Sequence, residues 1–393
     1  MPKLEKNIVS IQALRGIAAI LVVFCHSEQY ISAFLNVKVE RFVGNCFGGF
    51  GVDIFFVISG FIMVYICRNE FGQKNALGTF LRRRILRIFP MYWITILIVL
   101  ALIVPTGIYA YALPVDKQCV VSSSVDVFRN LLLIPSFSPK GECPIVGVSW
   151  TLLFEMFFYY SFALLLIFHE KIYLPALCFI FTSLILTSLC INDFHVHNGF
   201  TSYFAFLGND IILEFIFGCF LAEQFLAGHV LTYIIAGLVI LFSIMAILLS
   251  YHGTFIDISP IRAVRWGIPS AFIVFGLLSL EANGAIKIPK ALIKLGDSSY
   301  SIYLTHLSIY LMLIIVALKQ AKNYMHISGD IAVFAAWAAC VLLGYLTYQY
   351  VEKPVTKWLK KFNATNATKE RFPAIPVLSK QNDNQDAQAP STL

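Results

Sequence analysis

The sequence predicts an all-α integral membrane protein of about ten transmembrane helices, with both termini cytoplasmic. Three observations lead there. Hydrophobic residues make up 59% of the chain and charged residues 13%, with a mean hydropathy of +0.77, whereas soluble domains are about 25% charged. The apolar runs are long enough for membrane helices and lack the dyad alternation of a membrane barrel. With the N-terminus inside, twenty lysines and arginines fall in the inner segments and nine in the outer ones, the asymmetry that orients membrane proteins. The net charge of +7 therefore serves topology and argues against nucleic acid as a partner. No small-residue cleavage site follows the first apolar run, so it is expected to stay as the first span.

The spans fall at roughly 12–31, 50–67, 88–105, 149–168, 172–191, 210–227, 231–250, 265–281, 299–318 and 331–350, each near the twenty residues a bilayer needs. Asp210, Glu214 and Glu223 interrupt the sixth. A membrane domain over 1–356 is followed by a polar tail, 357–393, that reads as disordered and cytoplasmic. Its sequons at Asn363–Thr365 and Asn366–Thr368 would receive no sugar there. Of nine cysteines, most read as small core residues. Cys119 and Cys143, in the outer loop about 106–148, could pair in an oxidising compartment, but Cys46 is also outside and sequence does not fix the pairing. No cluster suggests a bound metal.

The first span holds the stretch RGIAAILVVFCH, Arg15 to His26, with nothing charged between its ends. In a helix these two side chains lie about 20° apart in azimuth and about 16 Å apart in depth, on one face. Ionisable groups inside a span usually face a cavity or a partner; a headgroup anchor and a helix end at the two interfaces is the plainer reading. In the second span, FGVDIFFVISGFIM places Asp53 at the outer mouth and Ser59–Gly60 near mid-membrane, where small residues let helices approach. The third opens with FLRRRILRIFPMYW, in which Arg82, Arg83, Arg84 and Arg87 crowd the inner mouth. A basic loop with an aromatic belt is ordinary topology. Arg84 and Arg87, however, share a helical face, and four arginines with no lysine lean towards an anion site.

The fourth span begins SWTLLFEMFFYY. Glu155 stands alone among apolar side chains about 9 Å below its start at Ser149, near Trp150. A buried carboxylate needs a partner, and His26 is a suitable one. The ninth span, LGDSSYSIYLTH, carries Tyr300, Tyr303 and His306 at three-residue spacing, a polar face that suggests a cavity wall. Glu352, two residues before Pro354, reads as the end of the last span.

Taken together, these segments resemble acyltransferase family 3, which includes O-acetyltransferases of bacterial lipopolysaccharide and exopolysaccharide. The resemblance covers about residues 8–356. It rests on Arg15 with His26, GVDIFFVISGF (51–61), the arginine stretch Arg83, Arg84 and Arg87 with Pro90, SWTLLFE (149–155), LGDSSYSIYLTH (295–306) and Glu352–Pro354. It implies transfer of an acetyl group from cytoplasmic acetyl-CoA, a co-substrate rather than a resident cofactor, to a hydroxyl of a lipid-linked or polymeric surface glycan, in a bacterial inner membrane. Many members carry a fused hydrolase-like domain. This sequence stops about forty residues after its last span, as a stand-alone transferase would.

In that frame Arg82, Arg83, Arg84 and Arg87 would hold the donor phosphates and Arg15 its pantetheine arm. His26 would act either as general base or as acyl-carrying nucleophile, with Glu155 fixing its tautomer. Asp53, Ser59, Trp150, Tyr300, Tyr303 and His306 are candidates to line the cavity or serve the oxyanion, with Ser59, Tyr300 and His306 the candidate hydrogen-bond donors to it. A proton-coupled transporter or flippase is the rival reading, since buried ionisable groups also suit a carrier. It would be expected to show repeat symmetry, and none is visible.

Overall fold

The computed structural model describes residues 8–39, 48–103, 124–135, 137–138, 141–142, 144–191, 206–251, 261–322 and 328–367. Cys46, Cys119, Cys143 and the polar tail beyond residue 367 lie outside them. The described chain is almost wholly helical, apart from a short antiparallel pair, Phe137–Ser138 with Gly141–Glu142. Seven helical stretches are long and apolar enough to cross a membrane, which makes this an integral membrane protein. The expected second and fourth spans are shorter apolar helices, Gly51–Cys67 and Trp150–Leu165. The sixth is the 15-residue helix Ile212–Leu226.

In chain order the helices are α1 (Val9–Leu35), α2 (Gly51–Cys67), α3 (Ala76–Ile98), α4 (Ser124–Leu131), α5 (Trp150–Leu165), α6 (Glu170–Ile191), α7 (Ile212–Leu226), α8 (Tyr233–Tyr251), α9 (Ile268–Ala282), α10 (Lys290–Asp297), α11 (Ser299–Thr305), α12 (Met312–Lys322), α13 (Gly329–Thr347) and α14 (Lys353–Ala367). Wider π turns occur at Val99–Ile103, Ala263–Gly267, His306–Leu311 and Tyr348–Glu352. Such turns shift the register of a helix and often sit at functional positions. The boundary expected at 356/357 is crossed by α14, which continues directly from α13 through the π turn at Tyr348–Glu352, with Pro354 just beyond that wider turn.

Helix α1 is the hub. It is uncharged between Arg15 and His26, ends where Asn36 takes a left-handed conformation (φ 49°), and packs against α2, α9, α10, α11 and α13. By contrast, α6 and α8 leave Phe179, Leu186, Ile234 and Phe242 exposed, as expected of helices facing lipid. Two crossings are close enough to demand glycine. A Cβ on Gly60 would lie 2.1 Å from the Phe215 carbonyl and one on Gly218 2.0 Å from that of Val57, locking α2 to α7. A Cβ on Gly296 would lie 1.8 Å from the Gln12 carbonyl, and one on Gly16 2.8 Å from the Gly296 nitrogen. The glycine of the LGDSSY stretch therefore lets α10 seat against α1 beside Arg15.

Polar contacts sort the helix ends into two layers. In one, Glu281 accepts the Val9 and Ser10 N–H groups at 2.8 Å each, Gln12 donates to Asp297 at 2.6 Å, Arg83 pairs with Glu70, and Ser301 donates to Glu352. In the other, Arg262 makes a two-pronged pair with Asp53 at 2.9 and 2.7 Å and Asp210 accepts the Ala263 N–H at 2.8 Å. Gly147 N–H donates to Ser308 at 2.9 Å in this second layer. These are the ends that alternate crossing would put on common sides. Cys25 is disulfide-bonded, a departure from the expected core thiol, while Cys67, Cys178, Cys190, Cys219 and Cys340 are free.

Candidate active site

The site forms where α1, α2, α3, α5 and α11 meet. A cavity is lined at one end by Arg15, Arg84 and Arg87 and at the other by Val52, Thr151 and Tyr303. It follows α2 from Val52 to Met63, eleven residues or about 16 Å of helix, the same span that separates Arg15 from His26. A second, larger space, lined by Ile8, Gln12, Tyr65 and Asp297 among others, shares Arg15, Ile62 and Arg87 with the first. The two meet at that waist, so the arginines stand at the junction of a vestibule and a channel.

Arg84 is buried and its guanidinium lies over the rings of Phe80 (5.1 Å) and Tyr159 (5.2 Å), an arrangement that fixes the planar fork. Arg87 lies one turn on, as the three-residue spacing predicts. Arg83 is committed to Glu70, and neither Arg82 nor Arg83 lines the described cavities. The expected set of four thus divides, with Arg84 and Arg87 turned inward and joined by Arg15.

Glu155 lines this cavity too. Its carboxylate accepts the hydroxyl of Tyr159, one turn on, and it lies with Glu352 in electrostatic range of Arg15. It is not the hydrogen-bond partner of His26, as expected from depth alone. That partner is His306. His26 Nδ1 meets His306 Nε2 at 2.8 Å, and His306 Nδ1 lies 2.6 Å from the Tyr303 carbonyl and 3.2 Å from that of Ile302. His306 opens a π turn and is fully buried. Distance along a helix is legible in sequence, whereas the direction a side chain faces depends on how helices pack, and here the π turn sets it.

The remaining candidates separate in the same way. Ser59, Tyr300 and Tyr303 line the cavity. The Tyr300 hydroxyl donates to the Ile88 carbonyl at 2.8 Å, and that of Tyr303 meets Thr151 Oγ1 at 2.8 Å. Tyr303 bounds the far end of the cavity, and its ring lies 5.8 Å from that of His306. The cavity thus ends one ring short of the imidazole pair. Asp53 lies outside the described cavity lining: it is fully buried and bound to Arg262, with Glu214 beside it. Trp150 packs edge-on against Phe154 and stays outside the cavity lining. Thr151 and Tyr159 were not singled out from sequence. Tyr159 had a signal, since it is four residues from Glu155 on one face.

Residues 8–349 match the acyltransferase domain of acyltransferase family 3. The exopolysaccharide production protein ExoZ of Rhizobium meliloti is 30% identical over 314 residues, 79% of this chain and 90% of that protein. The acyltransferase MdmB of Streptomyces mycarofaciens is 24% identical over 381 residues, 91% and 94% of the two chains. The O-acetyltransferase OatA of Staphylococcus aureus is 24% identical over 385 residues, 86% of this chain but 59% of that longer protein. No solved structure matches. The arginine-lined cavity and the histidine pair above it thus occur in a chain that belongs to acyltransferase family 3 and is a multi-pass membrane acyltransferase.

Proposed function

We infer that this protein moves an acetyl group from cytoplasmic acetyl-CoA to a hydroxyl of a surface glycan, such as an O-antigen or exopolysaccharide on a lipid carrier or growing chain. The observation that carries this reading is the cavity that runs about 16 Å along α2, from Arg84, Arg87 and Arg15 to Tyr303 beside the histidine pair. The names of ExoZ and OatA supply the glycan and the acetyl group. The lysine and arginine count supports an orientation with the layer holding Arg84, Arg87 and both ends of the membrane domain on the cytoplasmic side, in this reading that of a bacterial plasma membrane.

In this reading Arg84, its planar fork held over the rings of Phe80 and Tyr159, and Arg87, beside it in the cavity lining, take the donor phosphates. Arg15, which has Glu155 and Glu352 in range and stands at the junction of the two spaces, positions the pantetheine arm. Acetyl-CoA brings its thioester up the cavity to the Tyr303 end, next to the pair His26 and His306. The imidazole removes the proton of the acceptor hydroxyl as its oxygen bonds to the thioester carbonyl carbon. The carbon–sulfur bond then breaks, and the proton passes to the departing thiolate, leaving an acetyl ester and free CoA thiol. Transfer through an acetyl-imidazole would use the same nitrogen. Family membership sets aside the carrier reading.

Replacing His26 tests it. His26→Ala is expected to reach the membrane in normal amount and to transfer no label from radiolabelled acetyl-CoA. Retention of a substantial fraction of wild-type transfer would remove His26 from the mechanism.

A further inference from the structure

His306 has no role in the reaction as described so far, yet it makes the closest contact to the imidazole of His26. Face-to-face stacking would hold ring atoms about 3.5 Å apart. The two nitrogens are 2.8 Å apart, and the rings are 21° from parallel with centroids separated by 5.1 Å. The rings therefore meet edge to edge, nearly coplanar, as an N–H···N hydrogen bond requires.

The direction of that bond follows from the other edge of His306. Its Nδ1 faces two carbonyl oxygens, at 2.6 and 3.2 Å. A carbonyl can only accept, so Nδ1 carries a hydrogen. His306 is completely buried, where an imidazolium without a carboxylate partner is costly. Glu155, the nearest candidate from sequence, is engaged by Tyr159. Neutral His306 therefore has a bare Nε2, and the hydrogen shared between the rings belongs to His26 Nδ1. The remaining nitrogen of His26, Nε2, is left with its lone pair.

We propose that His306 is a positioning residue: its Nδ1–H, held by the Tyr303 carbonyl, makes its Nε2 the acceptor that fixes His26 as the Nδ1–H tautomer and leaves His26 Nε2 as the reacting base or nucleophile. This deepens the acetyl-transfer reading and rests on it for the identity of the reaction. The relay starts from a backbone carbonyl rather than a carboxylate. When His26 Nε2 takes the hydroxyl proton, the Nδ1–H bond to His306 persists and delocalises the new charge, and His306 itself neither gains nor loses a proton. The π turn at His306–Leu311 is the local feature that presents the ring, and the Gly147 N–H on Ser308 anchors that turn.

Two variants separate positioning from mere packing. His306→Gln retains an acceptor oxygen of comparable reach; His306→Leu fills the space without one. With full-length protein in membrane vesicles, His306→Leu is expected to lower kcat about 100-fold or more, as loss of the orienting partner does in hydrolytic triads. Its KM for acetyl-CoA should stay within about twofold, and His306→Gln should recover most of kcat. Equal losses in both variants, or a loss confined to KM, would overturn the proposal. The tautomer has its own readout. In protein labelled with 15N-histidine and held in bilayers, the His26 signals, identified by their absence in His26→Ala, should show a protonated Nδ1 and a bare Nε2. A protonated Nε2 in the wild type would overturn the assignment whether or not the enzyme acetylates glycan. Normal transfer by His26→Ala would instead sink the functional reading while leaving the tautomer as observed.

Discussion

At the scale of single residues, the two arginines turned into the cavity make the sharpest demand. If Arg84 and Arg87 hold phosphate, Arg84→Ala with Arg87→Ala raises the apparent KM for acetyl-CoA roughly tenfold or more, since hydrogen bonds to charged groups contribute about 1.5–3 kcal/mol. Arg82→Ala, outside the described cavity lining, leaves it nearly unchanged. Initial-rate kinetics on vesicles exposing the cytoplasmic face decide this, and an unchanged KM in the double variant would place the donor elsewhere. Arg262 and Asp53 make a different demand. Removing the arginine strands a buried carboxylate, so Arg262→Leu is expected to lose about 3–5 kcal/mol. Adding Asp53→Asn in the same chain should recover much of that, as read by thermal unfolding in detergent. Residue identity was legible for both clusters, because arginine spacing and an intramembrane carboxylate stand out from an apolar background. Partnership was legible only within a helix, as for Glu155 with Tyr159. The pairs Asp53–Arg262 and His26–His306 join positions 209 and 280 residues apart, and no local spacing encodes them.

At the scale of elements, the architecture depends on backbones approaching where side chains are absent. Gly60 and Gly218 hold α2 against α7, and the backbone atoms at 2.1 and 2.0 Å from any added Cβ cannot yield as a flexible side chain would. Gly218→Leu is therefore expected to destabilise the protein by at least the 1–3 kcal/mol typical of roughly one or two extra methylenes in a packed interior. Gly78→Ala, with nothing near its Cβ, should be neutral. Comparable melting temperatures for the two variants would mean that this crossing is looser than described. The apolar runs made the helices legible. Their detail was less so: the π turns, including the one that sets His306, arise from how a helix accommodates its neighbours. The helical stretch that starts at Gly329 also continues past Pro354, which follows directly on the π turn at Tyr348–Glu352.

At the scale of the whole molecule, the alternating layers of polar contacts and the lysine and arginine asymmetry agree on a two-sided machine, with arginines at one mouth and imidazoles towards the other. A cysteine placed at Lys290 is expected to react with a membrane-impermeant maleimide only after permeabilisation, and one at Lys38 in intact cells; the reverse pattern would invert the proposed orientation. The central claim is that a donor held at the cytoplasmic arginines reaches His26 through the cavity. It is tested most directly by supplying radiolabelled acetyl-CoA only to the cytoplasmic face of sealed membrane vesicles that contain the glycan acceptor. The wild type should place label on glycan and release CoA thiol, and His26→Ala should do neither. Equal labelling by the two proteins, or labelling only when the donor is on the opposite face, would contradict the account.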